Sequence, residues 1–333
     1  MGAMSELAAQ VETARDLVAP STMSLLPLAA AIERVSLAGC RVLFPFTGGA
    51  RVYLPTDGEQ VVRRGLMLDT ETTGADVHRD QIIQLAAVPF TFGAQGEILE
   101  VGPAAVMYEE PTIPISEDAS AVHGITMDRL VGQRFDDAFL LALMQCDLLI
   151  AHNAAFDRPM LDRRFPTMPK VPWGCSYVDV PWRQAMYPSA ALGALLIEHT
   201  DHFFAGHDAA ADCFAALHCL ASPFTHESFT SDTLWPLSHV LTAVTTPRAR
   251  LFANGAPFES KDLLSKRGYR WNDPTKAGAA HPRGSKAWFI ELDETKLEAE
   301  YSWLTEHVYR GANAKFMARA EAVPATSRFA RGA

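Results

Sequence analysis

The stretch that most constrains the fold is LMLDTETTG, residues 66–74, where an apolar run ends abruptly in Asp69, Thr70 and Glu71. A short apolar run of this kind reads as a buried strand, in which alternate side chains share a face. Asp69 and Glu71 therefore project side by side from the end of a hydrophobic strand. Two carboxylates held that close repel each other unless something neutralises them. Hard divalent cations such as Mg²⁺ prefer carboxylate oxygens and would do so. An isolated Asp-x-Glu also fits a plain solvated strand end, so the residues downstream have to decide.

The chain has 333 residues, which suits two domains or one domain with extensions, and its 48% apolar content supports a sizeable core. The five cysteines (Cys40, Cys146, Cys175, Cys213, Cys219) form no CxxC pair and are odd in number. That argues against a disulfide framework or a zinc site and for a reducing compartment. The start, MGAMSELAAQVETARD, lacks a basic segment followed by an apolar core, so no signal peptide is expected. No apolar run approaches the roughly 20 residues of a membrane span. The expectation is a cytoplasmic protein with no membrane partner. Net charge is −10, unevenly distributed: residues 1–245 carry 14 Lys+Arg and 29 Asp+Glu, residues 246–333 carry 15 and 10. An acidic body does not attract polyanions unaided; it needs metal ions at its site or a basic module nearby.

Residues 4–40 look helical. Residues 41–54, RVLFPFTGGARVYL, read as a hairpin turning at Thr47-Gly48-Gly49. From about residue 62 strands dominate: 66–71, 81–92 and 97–108 as a meander, then 147–152 and 175–179 among helices near 117–122, 127–132, 135–145, 154–164, 180–187, 190–198 and 207–221. This is an α/β domain with a mixed sheet. The organisation expected is an N-terminal extension (1–60), a main domain (61–222), a linker with one short helix (223–247), a small basic α+β module (248–310) and a flexible tail (311–333).

Further acidic and basic positions join Asp69 and Glu71. Asp157 lies in the first turns of the helix that leaves the strand DLLIAH, with Asn153 as a natural N-cap. His207 and Asp212 sit five residues apart, so on an ideal helix their directions differ by about 140°. His207 must therefore stand at the mouth of the helix if both are to face one site.

Taken in order, LDTETTG, HNAAFD and HDAAADC resemble the three motifs of the DnaQ-like, DEDDh 3′–5′ exonucleases. This family includes the epsilon proofreading subunit of bacterial DNA polymerase III, ribonuclease T and oligoribonuclease. The resemblance covers residues 63–222, and HxAxxD marks the His subclass; AVHGIT, 121–126, is similar to a segment between the first two motifs. It implies a ribonuclease H-like exonuclease fold with a central five-stranded mixed sheet. It implies that Asp69, Glu71, Asp157 and Asp212 hold two Mg²⁺ or Mn²⁺ ions and that His207 is the general base. Two metals about 4 Å apart can activate a water and stabilise the leaving 3′-oxygen, and a His titrating near neutrality can take the proton. The expected product is a nucleoside 5′-monophosphate from single-stranded or frayed DNA 3′ ends. A polymerase or another replication or repair protein is the expected partner. Thr72, Thr73 and Gly74 should meet the terminal nucleotide through backbone, with Gly74 admitting it for want of a Cβ. His123 and Ile125 should lie against the last base, and Asn153 is a further candidate contact. The alternative substrate is an RNA 3′ end; a nucleic-acid-binding scaffold with a vestigial nuclease body is disfavoured by the five intact residues.

The remaining candidates have plainer readings. His123, His152, His199 and His202 also fit structural or surface histidines; Asp162, Asp179 and Asp208 fit helix-end or surface carboxylates; Trp173, Trp182 and Tyr187 fit a core. In the C-terminal module Tyr269, Trp271, Trp288, Tyr301 and Trp303 alternate with Lys261, Lys266, Arg267, Arg270, Arg283 and Lys286. That interleaving suits base stacking with phosphate contacts, and equally a small aromatic core under a basic face.

Overall fold

The structure, a computed structural model, describes residues 41–53, 62–230, 232–276, 279, 281 and 283–330. The helical reading of residues 4–40 lies outside the described residues. After two short strands, Phe44–Pro45 (β1) and Arg51–Val52 (β2), the apolar run forms Arg63–Thr72 (β3), followed by Ile82–Phe92 (β4), Ile98–Val101 (β5) and Ala105–Tyr108 (β6). Three helices, Glu117–His123 (α1), Met127–Leu130 (α2) and Asp137–Leu143 (α3), lead to Leu148–Ala151 (β7). Then come Ala154–Arg164 (α4), Trp173–Cys175 (β8), Leu192–Thr200 (α5), His202–Phe203 (β9), Ala209–Ala221 (α6) and Pro236–Thr245 (α7).

β3 is the centre of the sheet. It pairs antiparallel with β4 from Arg63↔Phe92 to Glu71↔Gln84, and parallel with β7 from Gly65↔Leu148 to Leu68↔Ala151. A strand paired on both sides and covered on both faces needs a continuous apolar run, and 65–68 supply one. Leu66 and Leu68 pack on one face with Met160 and Leu161 of α4; Met67 packs on the other with Cys213, Ala216 and Leu217 of α6. Among the described residues the strand order β2-β5-β4-β3-β7-β8, with β6 also on β4, makes seven strands rather than five. Counting β5 and β6 as one interrupted strand and setting β2 aside leaves the five strands expected. The excess comes from β2, which pairs with β5, and from a break in the third strand at Gly102-Pro103 that leaves β5 and β6 on successive lengths of β4. Proline has no N–H for the ladder, which interrupts the strand there.

The expected hairpin at 41–54 does not form. β1 pairs parallel with β9 while β2 pairs with β5. Between them the chain crosses α6 so closely that a Cβ on Gly48 would lie 2.7 Å from the Phe214 ring. Residues 180–187 are turns rather than a helix, anchored by buried Val180, Trp182 and Ala185. Trp173 and Trp182 are core residues, as their plainer reading had it.

Beyond residue 247 lie Arg248–Ala253 (β10), Lys261–Lys266 (α8), Arg270–Asn272 (β11), Ala287–Asp293 (β12), Leu297–His307 (α9), Ala314–Met317 (α10) and Arg319–Val323 (β13). The antiparallel sheet β11-β12-β10-β13 buries one face, through Leu251, Ala253 and Leu292, beneath Leu304 and Val308 of α9. The expectation of a loose tail from 311 fails here. β13 completes this sheet, and the chain then docks on the main domain: Arg328 is buried against Asp179, and Thr326 O accepts from Arg158 Nη2 at 3.0 Å. Asp179 is thus a buried ion-pair partner rather than a surface carboxylate. Among the described residues no helix is long and apolar enough to cross a membrane.

Candidate active site

Strand parity decides what each residue at the end of β3 can meet. Asp69 and Glu71 follow Met67 onto the α6 face, whereas Thr70 follows Leu66 and Leu68 onto the α4 face. On the α6 side stands Asp212, one turn into its helix. One carboxylate oxygen from each of Asp69, Glu71 and Asp212 lies within 4.8 Å of the others. On the α4 side Thr70 Oγ1 donates to Asp157 Oδ1 at 2.8 Å. Asp157 is therefore held behind the strand end, outside the triad, but close enough to act on it by charge.

The electrostatics are those of an uncompensated anionic cluster. Burial, followed by the Asp157, Asp212 and Glu71 carboxylates, holds Asp69 well above the usual carboxylate range. Burial and the neighbouring carboxylates of Asp212 and Asp157 push Glu71 to about 7. Asp157 is pushed to about 7 by burial, against the Thr70 hydrogen bond. Asp212 rises to about 6, burial again leading, while the His207 backbone N–H at 3.0 Å to its Oδ2 pulls the other way. The charged neighbours that act on Glu71 are all carboxylates. Such a cluster of hard oxygen donors fits a divalent metal ion.

The helix carrying Asp212 starts late for a specific reason. Asp208 is its N-cap, accepting from Ala210 N at 3.2 Å and Ala211 N at 3.0 Å. His207 lies one residue before the cap, exposed, with φ of 69°. It therefore stands at the mouth of the helix, as the five-residue spacing demands. His123 is close enough to feel its charge, and burial is the larger cause of its lowered pKa. Ile125 N–H donates to His123 Nδ1 at 3.0 Å, so that nitrogen is unprotonated, and Nε2–H is left to donate to Thr72 O at 3.2 Å. His123 thereby ties the end of β3 to the loop after α1.

Several expected contacts are corrected. Ile125 is 2% exposed and packs on Ile83 and Leu130, so its side chain cannot lie against a base. Thr73 is 1% exposed and its polar groups are taken: N–H to Gln81 O, carbonyl from Ser116 N, hydroxyl to Asp80 Oδ1. Thr72 is also buried, its hydroxyl donating to Gly74 O at 2.6 Å. At Gly74 a Cβ would lie 2.6 Å from Asp80 Oδ2, a contact the sequence did not suggest. Asn153 occupies the N-cap position of α4 in the left-handed region, φ 78° and ψ 49°, but makes no side-chain cap bond. His152 is structural, with Ser176 Oγ at 2.9 Å and Ala190 O at 3.0 Å. Two supporting residues, Thr70 and Gln84, carry no signal in the sequence. Thr70 sits between the two carboxylates of the first motif, and the Gln84 amide reaches both Tyr108 OH at 3.0 Å and Asp208 Oδ2 at 3.3 Å. Asp208 does carry one, a carboxylate immediately before an alanine run.

Residues 66–220 match the RNase T family model, described as an exonuclease. Over 124 residues the chain is 33% identical to DNA polymerase III subunit epsilon of Treponema pallidum, covering 36% of this chain and 55% of that protein. Over 156 residues it is 29% identical to the PolC-type DNA polymerase III of Thermotoga petrophila, covering 43% of this chain and 11% of that one. The chain thus spans about half of the first relative and about a tenth of the second. Among solved structures, exonuclease X in complex with 5′ overhanging duplex DNA is similar with a TM-score of 0.36 at 24% identity, over 52% of this chain and 99% of that chain. Exonuclease I is similar with a TM-score of 0.41 at 18% identity, over 79% of this chain and 63% of that chain.

Proposed function

We propose, from the match of residues 66–220 to the exonuclease family model and the similarity to DNA polymerase III subunit epsilon and PolC-type DNA polymerase III, that the protein is a metal-dependent 3′–5′ exonuclease acting on single-stranded or frayed DNA ends. The observation that carries this reading is the cluster of Asp69, Glu71 and Asp212 within 4.8 Å, with the exposed His207 at its rim.

Asp69, Glu71 and Asp212 would hold one Mg²⁺ or Mn²⁺ ion, and Asp157 would complete a second site from the α4 side. Bound there, such ions supply Lewis acidity toward a phosphodiester and its attacking water. The chain itself does the rest. His207 accepts the proton of that water at an imidazole nitrogen, a role open to it because it is exposed and follows no helical constraint. Its own backbone N–H grips Asp212, so base and carboxylate are held at a fixed offset. The Thr70 hydroxyl aims Asp157 toward the strand end. His123 braces the Thr72 carbonyl and, with His207, flanks the cluster where the terminal nucleotide would enter. The product is a nucleoside 5′-monophosphate. The relatives' polymerase names make a replication or repair polymerase the partner class to test.

The test is digestion of 5′-labelled single-stranded DNA and RNA oligomers in Mg²⁺, Mn²⁺ or EDTA. DNA should shorten stepwise from its 3′ end with either metal and stay intact in EDTA. Faster loss of RNA would reassign the substrate. Strand binding without any release of mononucleotides would mark a scaffold with a vestigial nuclease body.

A further inference from the structure

The charge asymmetry of the chain has a structural counterpart. Residues that stand opposite each other in antiparallel strands share a face. The register therefore places Arg248 and Arg250 of β10, Glu291 of β12 and Arg270 of β11 on one face of the C-terminal sheet. It is the face opposite the one α9 covers, since Leu251 and Leu292 alternate with them. This arginine-bearing face borders a cleft of about 300 Å³ against the main domain, lined by Ala155, Arg248, Arg270, His281, Glu291 and Phe329. Ala155 belongs to the first turn of α4, the helix that carries Asp157. The cleft therefore borders the N-terminal turn of the helix that supplies Asp157.

Its charge is only partly balanced from within. Glu291 is answered by Arg250, whose Nε and Nη2 reach it at 2.9 and 2.6 Å. Asp293, opposite Arg248 in the register, turns its carboxylate to Thr295 N and Oγ1 at 2.9 and 2.7 Å. Among the described residues, neither Arg248 nor Arg270 makes a side-chain hydrogen bond or a salt bridge, although Asp293 feels the charge of Arg248. Arg270 is held over the Phe289 ring, 5.0 Å from its centroid, which orients the guanidinium. An oriented guanidinium offers a fork that fits phosphate oxygens. The two arginines are two strands apart across the sheet and four residues apart along it. Sheet geometry puts their Cα atoms roughly 16 Å apart. That separation suits charges a few nucleotides apart along an extended polyanion better than one small anion.

We infer that the cleft between the C-terminal sheet and α4 binds backbone phosphates of the single DNA strand whose 3′ end lies in the carboxylate site, with Arg248 and Arg270 as the phosphate contacts. The inference rests on the exonuclease reading for its ligand. It explains how an acidic nuclease body retains a polyanion: the grip is on the basic module, packed against the helix that carries Asp157.

The experiment is fluorescence anisotropy of a labelled single-stranded DNA oligomer in EDTA at several salt concentrations, using the full chain. Arg248→Gln and Arg270→Gln should each weaken binding about tenfold and flatten the slope of log K against log salt by about 0.7 for each phosphate no longer held. The Lys variants, which keep the charge, should bind more tightly than the Gln variants. In Mg²⁺ the loss should appear chiefly in KM rather than kcat. Unchanged affinity and salt slope in both Gln variants, with circular dichroism as for the parent, would overturn the cleft while leaving an active exonuclease intact. Arginine-dependent binding by a parent protein that releases no nucleotide would support the cleft and sink the exonuclease reading instead.

Discussion

At the scale of single residues the site is a group of acids with raised pKa values. An acid whose folded pKa is raised binds more protons folded than unfolded between its two pKa values, so stability falls as pH rises across that window. For Glu71 the window runs from about 4.5 to about 7, and for Asp157 from about 3.8 to about 7. Burial gives His152 and His218 the opposite dependence. Both are pushed down from 6.5 to about 4, so the stability they permit is lost as pH falls through that range. A metal ion cancels only the carboxylate contribution. The difference in Tm between Mg²⁺ and EDTA should therefore be small near pH 5 and grow to a plateau above about pH 7; a difference that does not change with pH would mean that the ion binds elsewhere. Asp69→Asn should abolish hydrolysis yet raise the Tm of the metal-free protein at pH 8. A tenfold easing of an ionisation constant is worth about 1.4 kcal/mol, or ~3–6 °C in a domain of this size. His207→Ala should lower kcat by about 10²–10⁴-fold while strand affinity in EDTA holds; equal losses in both would deny it the role of base.

At the scale of elements, what could be read in the sequence was what depends on local pattern. The parity of β3 and the five-residue offset between His207 and Asp212 set the geometry of the triad before any packing is known. Residues whose role depends on remote partners were not legible. Ile125 and Thr73 look available in sequence, but Ile83 and Leu130 claim the first and Gln81, Ser116 and Asp80 the second. Phe214, far along the chain, occupies the space beside Gly48 and separates the two strands of the expected hairpin. The tail is the extreme case. Its Ala/Arg composition suggests a loose end, yet Arg328 pairs with Asp179 at a separation of 149 residues, and both side chains are at most 5% exposed. Arg328 Nη1 also donates to Trp173 O at 2.9 Å. Removing one partner of such a pair leaves a buried charge alone, at a cost of about 3–5 kcal/mol. Arg328→Met should therefore destabilise the main domain by about that amount in urea unfolding. Adding Asp179→Asn, which removes the stranded charge but keeps an acceptor for Cys175 N, should recover part of the loss.

At the scale of the whole molecule, that pair decides whether the protein behaves as one body or two. The main sheet and the C-terminal sheet have separate cores, one around β3 and one beneath α9. Two such cores joined by a linker would ordinarily melt independently. Here the chain leaves the second sheet through β13 and inserts Arg328 beside β8, while Phe329 packs against the core shared by β3 and α4. The same return holds the arginine-lined cleft beside α4, whose Arg158 binds Thr326 O. Stability and substrate grip should then be coupled through one segment. The parent protein should unfold in a single calorimetric transition. Arg328→Met should split it, with the main domain melting first and the C-terminal sheet retaining its own Tm. Two transitions already present in the parent would show that the docked segment adds too little stability to couple the cores. In that case Arg328→Met should weaken strand binding no more than it weakens the main domain alone.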